Sequence, residues 1–163
     1  MNKQKGFTLI EMLVVIAIIA ILAGAVLLAI NPAETMRKSR DSTRLSDMDT
    51  LRSAINMALA EGEITLVVGE GNSIDDTQET DGINGYIKYA KVDPTGTGLA
   101  KYISALPKDP LNDGVHVYTF KSTLDDYEIN AVLESASNEG RMRDDGGDNP
   151  AVFEVGTNLT LIN

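Results

Sequence analysis

The chain has no cysteine and no tryptophan, a single histidine, and only five Tyr and three Phe among its 163 residues. Without thiols there is no disulfide framework, no thiolate nucleophile and no zinc-thiolate site. The one histidine, His116, has no second imidazole or thiolate to work beside, so it reads as a strand residue and neither a metal ligand nor a base. No Ser/His/Asp set, phosphate-binding glycine loop or HExxH occurs, and no enzyme is expected. So few aromatics leave little stacking surface for single-stranded nucleic acid. Basic side chains are scarce too: 14 Lys and Arg against 24 Asp and Glu give 14 − 24 = −10. From Glu61 onward the count is seven against nineteen, 7 − 19 = −12, so that part of the chain repels nucleic acid and anionic lipid.

What the chain does have is one long apolar run, Met12–Ile30, nineteen residues without a charge. As a helix at about 1.5 Å per residue it extends roughly 28 Å, close to the roughly 30 Å of a hydrocarbon core. Lys3 and Lys5 precede it, and Ala23-Gly24-Ala25 offers a small-x-small cleavage site. A conventional signal peptide, residues 1–25, would release a secreted or membrane-anchored module. Two features favour a retained anchor instead. The run continues through Val26, Leu27, Leu28 and Ile30, and Glu11 stands at its front edge, where a carboxylate is costly unless it has a task.

Residues Gly6-Phe7-Thr8-Leu9-Ile10-Glu11 resemble the prepilin processing motif of type IV pilins and type II secretion pseudopilins. In that family a basic leader ends in Gly, a membrane-embedded aspartyl prepilin peptidase cuts after it, and the new N-terminal Phe is methylated. The resemblance places cleavage between Gly6 and Phe7 and makes Phe7 an N-methylphenylalanine. It also gives Glu11 the position of the fifth mature residue, which serves assembly. A carboxylate one turn into the helix suits the N-terminal dipole, and in a parallel bundle it can meet the free amine of a neighbouring subunit. Two half-buried charges that are costly apart become tolerable together, and the pair sets a register the apolar surface cannot. Counting Lys3 and Lys5 before the run against Arg37, Lys38, Arg40 and Arg44 after it does not give an N-inside orientation. That orientation comes from the resemblance alone.

Asn31-Pro32 predicts a kink or break. Beyond it, Leu45, Met48, Leu51, Ile55 and Leu59 recur at helical spacing and predict a core face against a sheet. Arg37/Asp41, Arg44/Asp47 and Asp49/Arg52 read as solvated i,i+3 and i,i+4 pairs on the other faces. The cluster Arg37, Lys38, Arg40 and Arg44 suits lipid headgroups or a neighbouring subunit. One helix over residues 7–61 would extend about 80 Å. Residues 62–98 are rich in Gly, Asp, Asn and Thr, with strand candidates at Ile64–Val68 and Tyr86–Val92, and Leu99–Leu106 reads as a short helical turn. Val115–Lys121 and Tyr127–Glu134 form a hairpin pattern, followed by a strand at Ala151–Val155 and a C-terminal piece at Leu159–Ile162.

The turn Leu106-Pro107-Lys108-Asp109-Pro110 carries a second resemblance, to the Leu-Pro-x-Asp-Pro connection of major type II secretion pseudopilins. Asp109 and Asp113 beside it suggest a structural turn. Asp144-Asp145-Gly146-Gly147-Asp148-Asn149 gathers three carboxylates around two glycines, a composition that suits calcium, although its spacing is not that of an EF-hand. Major pseudopilins hold calcium in a loop at a similar place, so Asp144, Asp145 and Asp148 are the candidate ligands, with a solvated acidic turn as the alternative.

The expected fold is therefore α+β, with a long N-terminal helix packed on a small antiparallel sheet. Its expected parts are a leader (1–6), a transmembrane or filament-core helix (7–30), an amphipathic half (31–61) and a globular head (62–163). The expected function is a structural subunit of a type IV pilus or secretion pseudopilus. Its precursor would sit in the cytoplasmic membrane, N-terminus inside, and self-assemble into a cell-surface or periplasmic filament. The partners implied are the prepilin peptidase and, indirectly, an assembly platform and ATPase. No cofactor other than calcium is expected, and no nucleic acid. The alternative is a calcium-binding module with a conventional signal peptide.

Overall fold

The computed structural model describes residues 6–162; the leader lysines Lys3 and Lys5 lie outside the described residues, as do the side chains of Ala25 and Leu27–Ile30. The chain divides after Met36 into two compact units.

The first unit contains α1, Leu9–Ile30. Leu, Ile, Val and Ala fill it with no polar face, so its apolarity does not point to one side. It ends at Asn31, which takes a left-handed conformation with φ 44°. Pro32 then opens α2, Pro32–Ala60, at the one helical position where a missing N–H costs nothing. Asn31 also caps that start: its Oδ1 accepts from Glu34 N at 3.4 Å and its carbonyl from Thr35 N at 3.2 Å. The break expected at Asn31-Pro32 is found there, because Asn is among the few residues that reach αL at little cost beside a proline.

The second unit, from Arg37 onward, holds the rest of α2 and two antiparallel sheets. Strands β1 (Ile64–Leu66) and β3 (Tyr89–Lys91) make a two-stranded ribbon. Strands β2 (Gly69–Asn72), β4 (Thr119–Ser122), β5 (Tyr127–Ala131) and β6 (Phe153–Gly156) make a four-stranded sheet in the order β2-β4-β5-β6. A 3-10 turn occupies Gly98–Lys101 and a short helix, α3, Glu139–Arg143. The 122–126 turn joins β4 to β5 with Phe120 opposite Ile129, as the hairpin pattern predicts. Other boundaries move. The strand expected over Val115–Lys121 begins only at Thr119, leaving His116 in a turn where its Nδ1 lies 3.1 Å from Asp113 Oδ1. Leu159–Ile162 is a tail with no strand pairing, and β2 arises in a Gly-rich stretch that showed no strand pattern.

The core lies between α2 and the sheet. Met48, Leu51, Ile55 and Ala58 are buried against Phe120, Tyr127, Ile129 and Val155, with Tyr86, Leu99 and Leu106 closing it from the 62–106 connection. Each large side chain withdrawn from water contributes about 1.5–3 kcal/mol. Leu45 and Leu59, expected in the stripe, stand half-buried at its margin. Tyrosine hydroxyls fix the register of helix on sheet: Tyr118 donates to Asp47 Oδ2 at 2.7 Å and Tyr127 to Asn56 Oδ1 at 2.9 Å. α2 stops at Gly62, φ +68°, with Gly62 N on Leu59 O and Glu63 N on Ala58 O, so the αL residue satisfies the last carbonyls.

Candidate functional site

The sequence-derived processing and assembly residues lie together at the start of α1. Gly6 is exposed, and a Cβ placed on it meets nothing within 4 Å, so the fold itself does not require glycine there. Phe7 is 80% exposed and packs on no core. Thr8 is the N-cap, extended at φ −81° and ψ 155°. Its Oγ1 accepts from Glu11 N at 3.3 Å, while Glu11 Oε2 accepts from both Thr8 N and Thr8 Oγ1 at 2.7 Å. This reciprocal capping box satisfies orphan amides of the first turn. It engages only one of the two Glu11 oxygens; Oε1 has no hydrogen bond among the described residues. Glu11 is therefore oriented by its own first turn, with one carboxylate oxygen left over.

The described side chains of α1, Leu9–Gly24 and Val26, are exposed on all sides. Among the described residues no helix is long and apolar enough to cross a membrane. An apolar surface around a whole helix is nonetheless unsuited to water, and it calls for lipid or for other helices.

The second unit carries a charge cluster at the top of the α2 core stripe. Arg44 is fully buried; its Nε and Nη2 meet Asp109 Oδ2 and Oδ1 at 2.6 and 2.9 Å, and its Nη1 meets Asp41 at 2.9 Å and Glu134 at 2.6 Å. Glu134 also takes Arg40 Nε and Nη2 at 2.7 and 2.5 Å. The Arg40 hydrogen bonds, reinforced by Arg44, hold the Glu134 carboxyl down at about 2. Asp41 accepts from Glu134 N, Ser135 N and Asn138 Nδ2. The solvated-pair reading is corrected here: Arg44 has left Asp47 and the surface, and the Asp109 of the proline turn is its bidentate partner. Arg40 is half-buried against Glu134 and is not a lipid-facing charge. Asp49–Arg52 remains an exposed pair, as expected.

Among the described residues no group of three or more His, Asp or Glu side chains is placed to hold a metal ion. Asp144 pairs with Arg143 at 2.9 Å, Asp148 is exposed, and Asp145 gives both oxygens to backbone amides, Gly147 N and Glu154 N. The two glycines let the loop fold onto β6, and in this structure Asp144, Asp145 and Asp148 face separate partners. Sequence reading missed what lies beneath, the buried carboxyls Glu128 and Glu154. Alternation along β5 and β6 places them on the sheet face opposite the core, and the tail and loop that cover that face bury them.

Comparison with known proteins bears on the N-terminal site first. Residues 1–27 match the family model described as the prokaryotic N-terminal methylation motif. The chain is 39% identical to Fimbrial protein Q of Moraxella bovis over 83 residues, 51% of this chain and 50% of that one. It is 35% identical over 125 residues to the type IV major fimbrial protein FimA of Dichelobacter nodosus, covering 77% of this chain and 72% of the relative. A Fimbrial protein of Pseudomonas aeruginosa is 31% identical over 135 residues, 71% of this chain and 84% of its own length. The chain thus spans about half the length of the Moraxella relative but most of the other two. No solved structure matches it.

Proposed function

The chain belongs to the type IV pilin family, and from that premise we propose that it is the structural subunit of a surface pilus filament. Its precursor is anchored in the cytoplasmic membrane by the uncharged run Met12–Ile30, N-terminus inside. Prepilin peptidase cuts between Gly6 and Phe7, and the amine of Phe7 is methylated. Subunits then associate through α1, the free Oε1 of Glu11 on one subunit meeting the Phe7 amine of the next, while the acidic heads face outward. An assembly platform and a separate ATPase drive the process. A surface pilus is preferred to a secretion pseudopilus because the relatives are named fimbrial proteins. The Leu-Pro-x-Asp-Pro turn does not distinguish the two, since its Asp109 serves the buried Arg44.

The observation that carries this reading is a helix apolar on every face whose first turn presents one oriented, half-satisfied carboxylate. The apolar faces pack on lipid before assembly and on neighbouring helices after it, and the carboxylate supplies the register. The test is the mature N-terminus in cells carrying a prepilin peptidase. Mass spectrometry is expected to find a chain beginning at N-methylated Phe7. A chain beginning near Val26 would replace the filament subunit with a conventionally secreted protein.

A further inference from the structure

On the sheet face turned away from α2, beneath the 144–152 loop and the 157–162 tail, three polar side chains are buried. Glu128 and Asn130 on β5 are 0% and 3% exposed, and Glu154 on β6 is 2% exposed. Backbone amides occupy one oxygen of each carboxylate: Glu128 Oε2 accepts from Leu161 N at 2.6 Å and Ile162 N at 3.0 Å, and Glu154 Oε2 accepts from Asn149 N at 3.2 Å. The remaining oxygens, Glu128 Oε1, Glu154 Oε1 and Asn130 Oδ1, are buried with no donor among the described residues. Lys121, opposite Glu128 on β4, is exposed, and Arg143 is taken by Asp144.

Strand register brings the three together. Asn130 faces Glu154 across β5 and β6, and Glu128, two residues earlier, shares that face. The amide of Glu154 points away from β5 to Asp145 Oδ2 at 2.9 Å, whereas that of Thr157 points inward to Tyr127 O at 3.0 Å. Asn130 and Glu154 are therefore a pair without mutual hydrogen bonds, the kind whose Cα atoms stand about 4.5 Å apart and whose side chains come closest. Glu128 and Glu154 are diagonal neighbours, a separation of about 7–8 Å that long side chains span. Directly opposite Glu128 is Gly156, so no cross-strand side chain competes for the space. Asn130 also lines a cavity of about 130 Å³, so the face is not packed solid there.

We propose that Glu128 Oε1, Glu154 Oε1 and Asn130 Oδ1 bind one calcium ion, which fastens the 144–152 loop and the 157–162 tail to the sheet. A buried carboxylate without a partner is costly, and one divalent cation balances two of them. All three free atoms are oxygens, the donors a hard cation takes, and water fills the rest of its shell of about six to eight. The amides on the two Oε2 atoms fix how each carboxylate is turned, as outer-shell groups do at metal sites. Magnesium gives up its waters reluctantly and demands a near-octahedral shell, so a covered set of this kind favours calcium. Because Glu154 also holds the loop and Glu128 the tail, a single ion secures both coverings at one point. Gly147 lets the loop come this close: a Cβ there would lie 1.7 Å from Glu154 Oε2.

The test uses the full chain in nonionic detergent micelles, stripped of metal with chelator and titrated with calcium chloride in a calorimeter. One calcium per chain is expected, bound at least about tenfold more weakly by Glu128→Gln and by Glu154→Gln, since calcium affinity follows the charge of its ligands. Glu70→Gln removes an exposed acid from β2 of the same sheet and is expected to bind within about twofold of wild type. Magnesium is expected to bind wild type at least about tenfold more weakly than calcium does. Calcium is also expected to slow amide exchange at Asn149 and Ile162 at least about tenfold relative to chelator. No uptake by wild type, uptake undiminished in both Gln variants, or an equal loss in Glu70→Gln overturns the proposal, and magnesium binding as tightly overturns the choice of ion. Calcium lost in Asp148→Asn but kept in Glu154→Gln would move the ion to the loop and overturn it as well. Should the Gln variants not fold, exchange in wild type decides alone: rates at Asn149 and Ile162 that calcium leaves unchanged sink the site.

Discussion

Arg44 and Asp109, 65 residues apart in sequence, form a two-pronged ion pair at 2.6 and 2.9 Å with both side chains fully out of solvent. The planar guanidinium fork matches the two carboxylate oxygens, and its remaining nitrogen serves Asp41 and Glu134. One helical side chain thereby holds the proline turn and the segment after β5 to α2.

Removing one member of such a cluster leaves the others buried and uncompensated. Arg44→Ala is expected to lower stability by about 3–5 kcal/mol, and Arg44→Lys to recover little of it because a point charge cannot grip both oxygens. Denaturant titration of the full chain in micelles measures both. An Arg44→Lys protein as stable as wild type would show that charge alone, without the fork, is sufficient.

Acid should loosen the same cluster. The Arg40 and Arg44 hydrogen bonds hold the Glu134 carboxyl at about 2 in the folded chain, against 4.5 when free. A depressed folded value stabilises the protein above pH 4.5, and that stability is lost as pH falls from 4.5 toward 2. The melting temperature is expected to drop across this window, with Glu134→Gln melting lower at neutral pH and showing a shallower acid limb, a difference of roughly 1–3 kcal/mol. Parallel acid limbs for the two proteins would exclude Glu134 as the source.

At the other end of the chain, Glu11→Gln separates two roles of one carboxylate. The amide oxygen still accepts from Thr8, so α1 remains capped, but no charge is left to meet an ammonium. Processing to Phe7 and membrane insertion are expected to continue while filaments disappear from electron micrographs. Normal filaments from Glu11→Gln would remove the charge-paired register and leave Glu11 as a cap only.

The parts of the fold that were legible in the sequence were those where one physical signal dominated. The Met48, Leu51 and Ile55 spacing located the core face of α2, and the β4–β5 hairpin followed from two β-rich runs around a polar turn. Gly6, Phe7 and Glu11 were found through a motif whose residues the fold barely constrains. Arg44 was misread because a charge was assumed to mark the solvent side, yet its number held the clue: 41, 44, 48, 51, 55 and 58 continue one 3-4 stripe, and all six are buried. β2 was invisible because Gly-Glu-Gly-Asn has no strand propensity of its own and is held by pairing with β4. Glu128 and Glu154 were hidden for the converse reason: alternation gives the face of a strand, and the tail decides whether that face meets water.

Asp41 ties one turn of α2 to Glu134, Ser135 and Asn138, more than ninety residues later, in a chain without a cysteine. This fastening needs no oxidant to form and no isomerase to correct it. The head can therefore close as soon as its C-terminal segment is made, under aerobic or anaerobic conditions alike, and thiol reductants have nothing in it to cut.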